Sequence, residues 1–140
     1  MTLVKAAVCA FAAASLAACG MMPGSGAKSM NLTLSGAQEV PPVSTSAKGS
    51  GRIQVASDGA VSGSVTTNGM QGTAAHIHQG PKGQNGPVII PLVKNGDTYA
   101  VPSGARLNDA QMAAFKAGNL YVNVHSPQYK GGELRAQLQP

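Results

Sequence analysis

Polar and apolar residues alternate along many short stretches of the chain, which is typical of half-buried β-strands. Leu32 and Leu34, for example, are separated and flanked by polar residues, and Asp58-Gly59 has the composition of a hairpin turn. Strands are predicted around Leu32, Ile53 and Val61 and over Thr73–His78, Val88–Val93, Thr98–Val101, Leu120–His125 and Glu133–Leu138. This pattern predicts an all-β fold, either an antiparallel β-sandwich or a barrel with Greek-key-like connections.

One segment has a helical pattern instead. Asn108 and Gln111 have the spacing of a capping box, and Gly118 stands where a helix commonly ends in a left-handed conformation. We therefore expect one short helix near Asp109–Ala117, with the side chain of Phe115 packed on the core.

The first nineteen residues have the composition of a secretory signal. Lys5 precedes an apolar run of small residues, Ala6–Ala18, which is shorter than the roughly 20 residues that a membrane span needs. The run ends in Leu16-Ala17-Ala18-Cys19, which resembles the lipobox of bacterial lipoproteins. The sequence thus predicts a lipoprotein signal peptide over residues 1–18 and a lipid on the thiol of Cys19.

Residues 19–30 are rich in Gly, Ser and Met, and we interpret them as the lipidated cysteine followed by a flexible linker. The β domain is then expected over residues 31–140. By the lipobox resemblance, Cys19 carries a diacylglyceryl group on its thiol and an acyl chain on its new amino group. These chains together would anchor the domain stably to a membrane. An Asp after the cysteine would resemble the retention signal of inner-membrane lipoproteins, but Gly20 stands there instead. We therefore expect the protein in the cell envelope, with the domain on the outer membrane facing the periplasm or at the cell surface.

Charge and cysteine content exclude several classes of function. The ten basic residues are scattered singly, and only 4% of the residues are aromatic, so a nucleic-acid surface is not expected. Cleavage before Cys19 would remove Cys9 and leave no free thiol. A cysteine enzyme, a disulfide framework and a thiolate metal site are therefore not expected.

The three histidines of the chain all fall in two predicted strands. His76 and His78 are two residues apart, so their side chains share one strand face. His125 lies at the end of the other strand, on the more polar face with Tyr121 and Asn123. If the two strands are neighbours, the three imidazoles can converge on one ion.

Three imidazoles without a thiolate suit copper or zinc better than calcium or magnesium. Candidates for an additional ligand, or for a group that supports one, are Glu39, Asn123, Tyr121 and Met70. Two other interpretations stay open: histidines scattered on the surface, and buried histidines whose nitrogens bond to the backbone.

Five separated motifs resemble the CHRD domain, a module named from chordin that recurs in bacterial secreted proteins. They are LSGAQEVPPV at 34–43, AHIHQG at 75–80, NGPV at 85–88, YVNVH at 121–125 and GELRAQL at 132–138. The resemblance implies a β-rich extracytoplasmic domain over about residues 31–139. It also places Glu39, His76, His78, Asn123, His125, Glu133 and Arg135 at motif positions.

Two of these motif regions have simpler interpretations. Glu133 and Arg135 lie on one face of their strand, where they could form a surface ion pair. The stretch GPKGQNGP at 80–87 lacks the ending of a phosphate-binding loop and predicts a mobile surface loop.

The function expected from the sequence is that of a non-catalytic, lipid-anchored envelope domain that binds copper or zinc through His76, His78 and His125. One alternative is a copper-dependent oxidoreductase, by analogy with the copper site of superoxide dismutases. The other is a structural or adhesive module whose histidines bind no metal.

Overall fold

The computed structural model describes residues 26–140, which form nine strands, one α-helix and a short 3₁₀ helix over Gly36–Gln38. The strands are β1 Lys28–Leu34, β2 Lys48–Val55, β3 Val61–Asn68, β4 Ala74–Gln79, β5 Val88–Pro91, β6 Val93–Asn95, β7 Thr98–Ala100, β8 Leu120–His125 and β9 Leu134–Leu138; the helix is α1 Asp109–Lys116.

The strands form two antiparallel sheets. The five-stranded sheet has the order β1-β2-β3-β7-β6, and the four-stranded sheet has the order β5-β4-β8-β9. Apolar side chains from both sheets form one core, so the all-β prediction is confirmed and the architecture is a β-sandwich rather than a closed barrel.

The strict alternation of β4 and β8 explains how the four-stranded sheet contributes to the core. Ala75 and Ile77 of β4 and Val122 and Val124 of β8 are at most 1% exposed and face the other sheet. The residues between them, including all three histidines, must therefore point to the outer face of this sheet.

Two parts of the predicted strand pattern differ from the structure. The strand predicted over Val88–Val93 is two strands in different sheets, because the chain crosses between the sheets at Leu92, whose amide donates to the carbonyl of Ala75 (2.9 Å). The first strand begins at Lys28, so Met30 is a buried core residue and residues 28–30 extend the strand, although the sequence places them in the linker.

The predicted helix is confirmed. It covers Asp109–Lys116, and Asn108 and Gln111 form the reciprocal capping box at its start. Gly118 follows with a φ of 74°, a left-handed conformation that glycine adopts without strain. None of the helices formed by residues 26–140 is long and apolar enough to cross a membrane.

The substitution Val122→Ala should destabilise the fold, because Val122 is fully buried between the two sheets. We expect the free energy of unfolding, measured by urea denaturation, to fall by about 2 kcal/mol. The matched control is Val93→Ala, because Val93 is 57% exposed and should change stability by less than about 0.5 kcal/mol. Equal losses in the two variants would contradict this assignment of the core.

Candidate functional site

The register between β4 and β8 brings the histidines together. The two strands are antiparallel neighbours in which Ala74 pairs with His125, His76 with Asn123, and His78 with Tyr121. A β-bulge interrupts the pairing of β4 with β5 between Ile77 and His78, and bulges commonly redirect side chains beside functional sites. β4 and β8 are thus neighbours, which the sequence alone could not show.

The three imidazoles form one compact cluster, which we call the histidine triad (His76, His78 and His125). One ring nitrogen of each histidine lies within 4.8 Å of the ring nitrogens of the other two. The closest approach joins Nδ1 of His76 to Nε2 of His125, at 3.0 Å. Since the chain contains three histidines, none lies outside the triad.

Backbone carbonyls fix the protonation of two of the rings. Nδ1 of His78 donates to the carbonyl of Gly86 (2.9 Å), and Nδ1 of His125 donates to the carbonyl of Lys130 (2.8 Å). Because a carbonyl only accepts, each Nδ1 carries the hydrogen, and in the neutral ring Nε2 carries the free lone pair. A hydrogen bond from the far nitrogen to a carbonyl is also the usual support of a metal-bound histidine.

One of these two lone pairs accepts no hydrogen bond from the described part of the chain. Nε2 of His78 is buried and has no hydrogen-bond partner among residues 26–140, whereas Nε2 of His125 faces His76. An unpartnered buried polar atom costs about 1–3 kcal/mol. The structure therefore contains, at His78, a buried acceptor that no described residue satisfies.

Burial keeps two of the histidines neutral. Desolvation lowers the pKa of His76 and of His78 from the ordinary value of 6.5, and repulsion from the neighbouring imidazoles adds to this at both residues. Neutral imidazoles are the form that ligates metals, so both rings are available as ligands near neutral pH.

Tyr121 and Arg135 hold the His78 ring in place by stacking. The rings of His78 and Tyr121 are nearly parallel, at an angle of 6° with centroids 4.7 Å apart. The guanidinium carbon of Arg135 lies 3.5 Å from the centroid of the Tyr121 ring. Tyr121 therefore supports His78 through its ring, and its hydroxyl contacts Gly86 rather than the triad (3.1 Å from the amide nitrogen).

The predicted surface ion pair between Glu133 and Arg135 is absent from the described residues. Arg135 is 1% exposed and donates to the carbonyls of Pro81 and Gln84, at 3.2 and 3.0 Å. Glu133 instead accepts from the hydroxyl of Thr45 at 2.7 Å. The strand face is buried, so each charged side chain needs several hydrogen bonds rather than one exposed partner.

The sequence predicts a mobile loop over residues 80–87. In the structure, this segment lies over the outer face of the four-stranded sheet and is held there by hydrogen bonds. Besides its bonds to Arg135 and His78, it receives a hydrogen bond from Gln137 at the carbonyl of Gly80 (2.9 Å). The side chain of Asn85 donates to the carbonyl of Val40 (2.7 Å). This loop therefore covers the site and supplies the carbonyl that orients His78.

Glu39 and Asn123 form a buried polar pair next to the triad. Paired backbone hydrogen bonds of 3.1 Å join Ser35 to Arg135 and bring the segment that ends in Glu39 over β9. Both side chains lie against Gly132, where a Cβ would collide with Oε1 of Glu39 and Nδ2 of Asn123. Desolvation raises the pKa of Glu39 from 4.5 to about 7, against the opposing effects of Arg135 and Asn123.

Two further sequence candidates are Met70 and Cys19. Met70 packs against the hydrophobic core and lines a cavity of about 520 Å³ together with Gln128 and Glu133. Cys19 and the predicted signal peptide lie outside the described residues. Sequence reasoning missed the carbonyls of Gly86 and Lys130, because a backbone oxygen leaves no signal in residue type.

The comparison with protein families agrees with this geometry. A family model described as CHRD domain matches residues 30–138, which contain all of β4, β8 and β9 and most of β1. The chain belongs to the CHRD domain family. Neither the search of curated proteins nor the search of solved structures finds a match. A CHRD domain with three adjacent histidines is compatible with a binding module.

The variant Glu39→Gln should change how stability depends on pH. The folded state raises the pKa of Glu39, so Glu39 favours folding most below pH 4.5, and this contribution is lost as the pH rises to about 7. Between pH 4.5 and pH 8, the wild type should therefore lose about 3 kcal/mol of unfolding free energy relative to the variant. Urea denaturation of both proteins at the two pH values measures this difference, and parallel profiles would contradict the assigned pKa.

Proposed function

We propose that this protein is a lipid-anchored cell-envelope domain that binds one copper or zinc ion through His76, His78 and His125. The observation that carries the proposal is Nε2 of His78, which is buried without a hydrogen-bond partner in the described part of the chain. Its ring is already oriented by Gly86, and two further ring nitrogens lie within 4.8 Å.

The spacing of the ring nitrogens fits this use. With metal–nitrogen bonds of about 2.0–2.1 Å, the ligand nitrogens of a tetrahedral site lie about 3.3 Å apart. His76 and His125 are already at 3.0 Å, and all three nitrogens are within 4.8 Å of one another. Binding therefore needs His78 to move toward the other two rings, a slight separation of His76 and His125, and the loss of their hydrogen bond. The hydrogen on Nδ1 of His76, which donates to His125, would have to move to Nε2 before Nδ1 could ligate.

The donor set favours copper and zinc over other common ions. Imidazole suits both metals, whereas calcium and magnesium prefer six or more oxygen ligands. The lowered pKa of His76 and His78 favours the neutral rings that such a site requires. The ion would either be cargo or stabilise a fold whose core is small.

Titration of the purified, chelator-treated full-length protein with Zn(II) and Cu(II) tests this proposal. We expect one ion per chain and a melting temperature that rises with metal concentration. His78→Ala and His125→Ala should each weaken binding more than about 100-fold, beyond the loss typical of groups that only support a ligand.

Met112→Leu is the control for this titration, because Met112 of α1 packs on the core, lines a cavity with Val55 and Phe115, and should leave the affinity unchanged. Binding of one ion that survives the double variant His78→Ala and His125→Ala would refute the site. A melting temperature and imidazole NMR shifts that do not respond to either metal would instead support the metal-free structural alternative.

The location is the second part of the proposal. Support for it comes from Leu16-Ala17-Ala18-Cys19 at the end of the apolar run and from Gly20 after the cysteine. A lipid at Cys19 would hold the domain on the outer membrane facing the periplasm, or at the cell surface, where exchangeable copper and zinc are accessible.

Cys19→Ala tests the anchor directly. In cells of a lipoprotein-producing bacterium, the wild type should incorporate labelled palmitate and sediment with membranes, whereas the variant should do neither. Cys9→Ala is the matched control and should behave as the wild type, because Cys9 lies within the predicted signal peptide. Palmitate incorporation that persists in the Cys19 variant would contradict the proposed anchor.

A further inference from the structure

Three buried polar atoms without a hydrogen-bond partner among residues 26–140 lie in one region of the outer sheet face. They are Nε2 of His78, Oδ1 of Asn123 and Oε1 of Glu39. Asn123 pairs with His76 across β4 and β8, and it is 2% exposed. Buried polar atoms are rarely left without partners, so three neighbouring ones point to a missing group rather than to chance.

The orientation of the Asn123 amide shows what that group must be. Nδ2 of Asn123 is directed toward the turn before β9, where it lies 3.4 Å from the carbonyl of Gly131. The collision partners of a Cβ at Gly132 agree, since they are Oε1 of Glu39 and Nδ2 of Asn123. Nδ2 of Asn123 therefore faces Glu39, while Oδ1 is the amide atom that stays buried without a partner among residues 26–140.

Two buried acceptors without partners in the described residues consequently lie in the same region of this sheet face. Nε2 of His78 carries a lone pair because Nδ1 donates to Gly86, and the amide oxygen of Asn123 can only accept. Neither atom can satisfy the other while the ring is neutral. A metal ion satisfies both at once.

We infer that Oδ1 of Asn123 is the fourth ligand of the metal, that Glu39 positions it, and that the resulting N₃O set selects the divalent ions Zn(II) and Cu(II) over Cu(I). This inference rests on the proposed triad site and specifies which ions it takes. An amide oxygen is a hard donor that adds little to Cu(I), which prefers soft ligands, but it completes a four-coordinate site for the divalent ions.

Glu39 acts through Asn123 and not on the metal. Its carboxylate lies next to Nδ2 of Asn123, and Gly132 leaves the space in which the two side chains meet. In the described residues, the only hydrogen bond that Nδ2 of Asn123 donates is a long one, to the carbonyl of Gly131 at 3.4 Å. Without Glu39, the amide could rotate and turn its NH₂ group toward the site.

The variant Asn123→Leu, with Asn123→Ala as a second replacement, separates this inference from the triad proposal. Affinities for Zn(II), Cu(II) and Cu(I) are measured on the full-length protein by competition with chromophoric chelators. We expect Zn(II) and Cu(II) affinity to fall at least tenfold and Cu(I) affinity to change less than threefold. The Cu(II)/Cu(I) potential should then rise by about 59 mV for each tenfold loss of Cu(II) affinity.

Glu39 is tested with a conservative and a non-conservative variant. Glu39→Leu should lower Cu(II) affinity about tenfold and change the Cu(II) EPR spectrum, whereas Glu39→Gln, which can keep an oxygen beside Nδ2 of Asn123, should resemble the wild type. Asn31→Leu is the matched control for Asn123→Leu, because Asn31 is exposed on β1.

The outcomes are distinct for the two proposals. Unchanged affinities in the Asn123 variants, as expected if only a water molecule lies between Asn123 and His78, would overturn the inference and leave the triad site standing. Equal losses for Cu(I) and Cu(II) would also overturn it, because Asn123 would then have a structural role alone. A wild type that binds none of the three ions refutes the triad site and the inference together.

Discussion

The structure depends on one constraint: the outer face of the four-stranded sheet is polar and nevertheless buried. Tyr121, Asn123 and Arg135 lie on this face and are 1%, 2% and 1% exposed, respectively. Removing such groups from water without partners would cost several kcal/mol. The loop over residues 80–87 and the segment that ends in Glu39 provide the cover, and carbonyls of the loop accept hydrogen bonds from Arg135, Gln137 and His78. The domain thus has an apolar layer between its sheets and a second, hydrogen-bonded layer outside one of them.

This second layer makes the site rigid. Arg135 bonds to the loop carbonyls and stacks on Tyr121, Tyr121 stacks on His78, and His78 bonds back to the loop at Gly86. Each contact restrains the next, so the loop and the imidazole are positioned together. A ligand that approaches the triad therefore meets rings whose orientation is set before it arrives, which reduces the entropy lost on binding.

The sequence predicts the parts of this arrangement that follow from strand periodicity. Alternation places His76 and His78 on one face, and the polar pattern of β8 places His125 on a face with Asn123. Periodicity cannot give the adjacency of β4 and β8, because register depends on contacts far apart in the chain. Strand periodicity also cannot show whether a polar face is covered. From the sequence alone, Glu133 and Arg135 can therefore be interpreted as an exposed ion pair. The crossing at Leu92 is not predicted for a similar reason, since the run Val88–Val93 contains no polar residue that would mark the change of sheet.

The covered polar layer also links metal binding to folding. Within the described residues, the lone pair of His78 loses its contact with water on folding, whether or not an ion is present. This desolvation cost, about 1–3 kcal/mol for one such atom, therefore lowers the free energy of unfolding of the metal-free protein and does not arise on metal binding. A metal ion would recover it, and the hydrogen bond between His76 and His125 is what the ion would replace in return. Because one neutral hydrogen bond contributes only about 1 kcal/mol, an ion would recover at His78 about as much as, or more than, it gives up between His76 and His125.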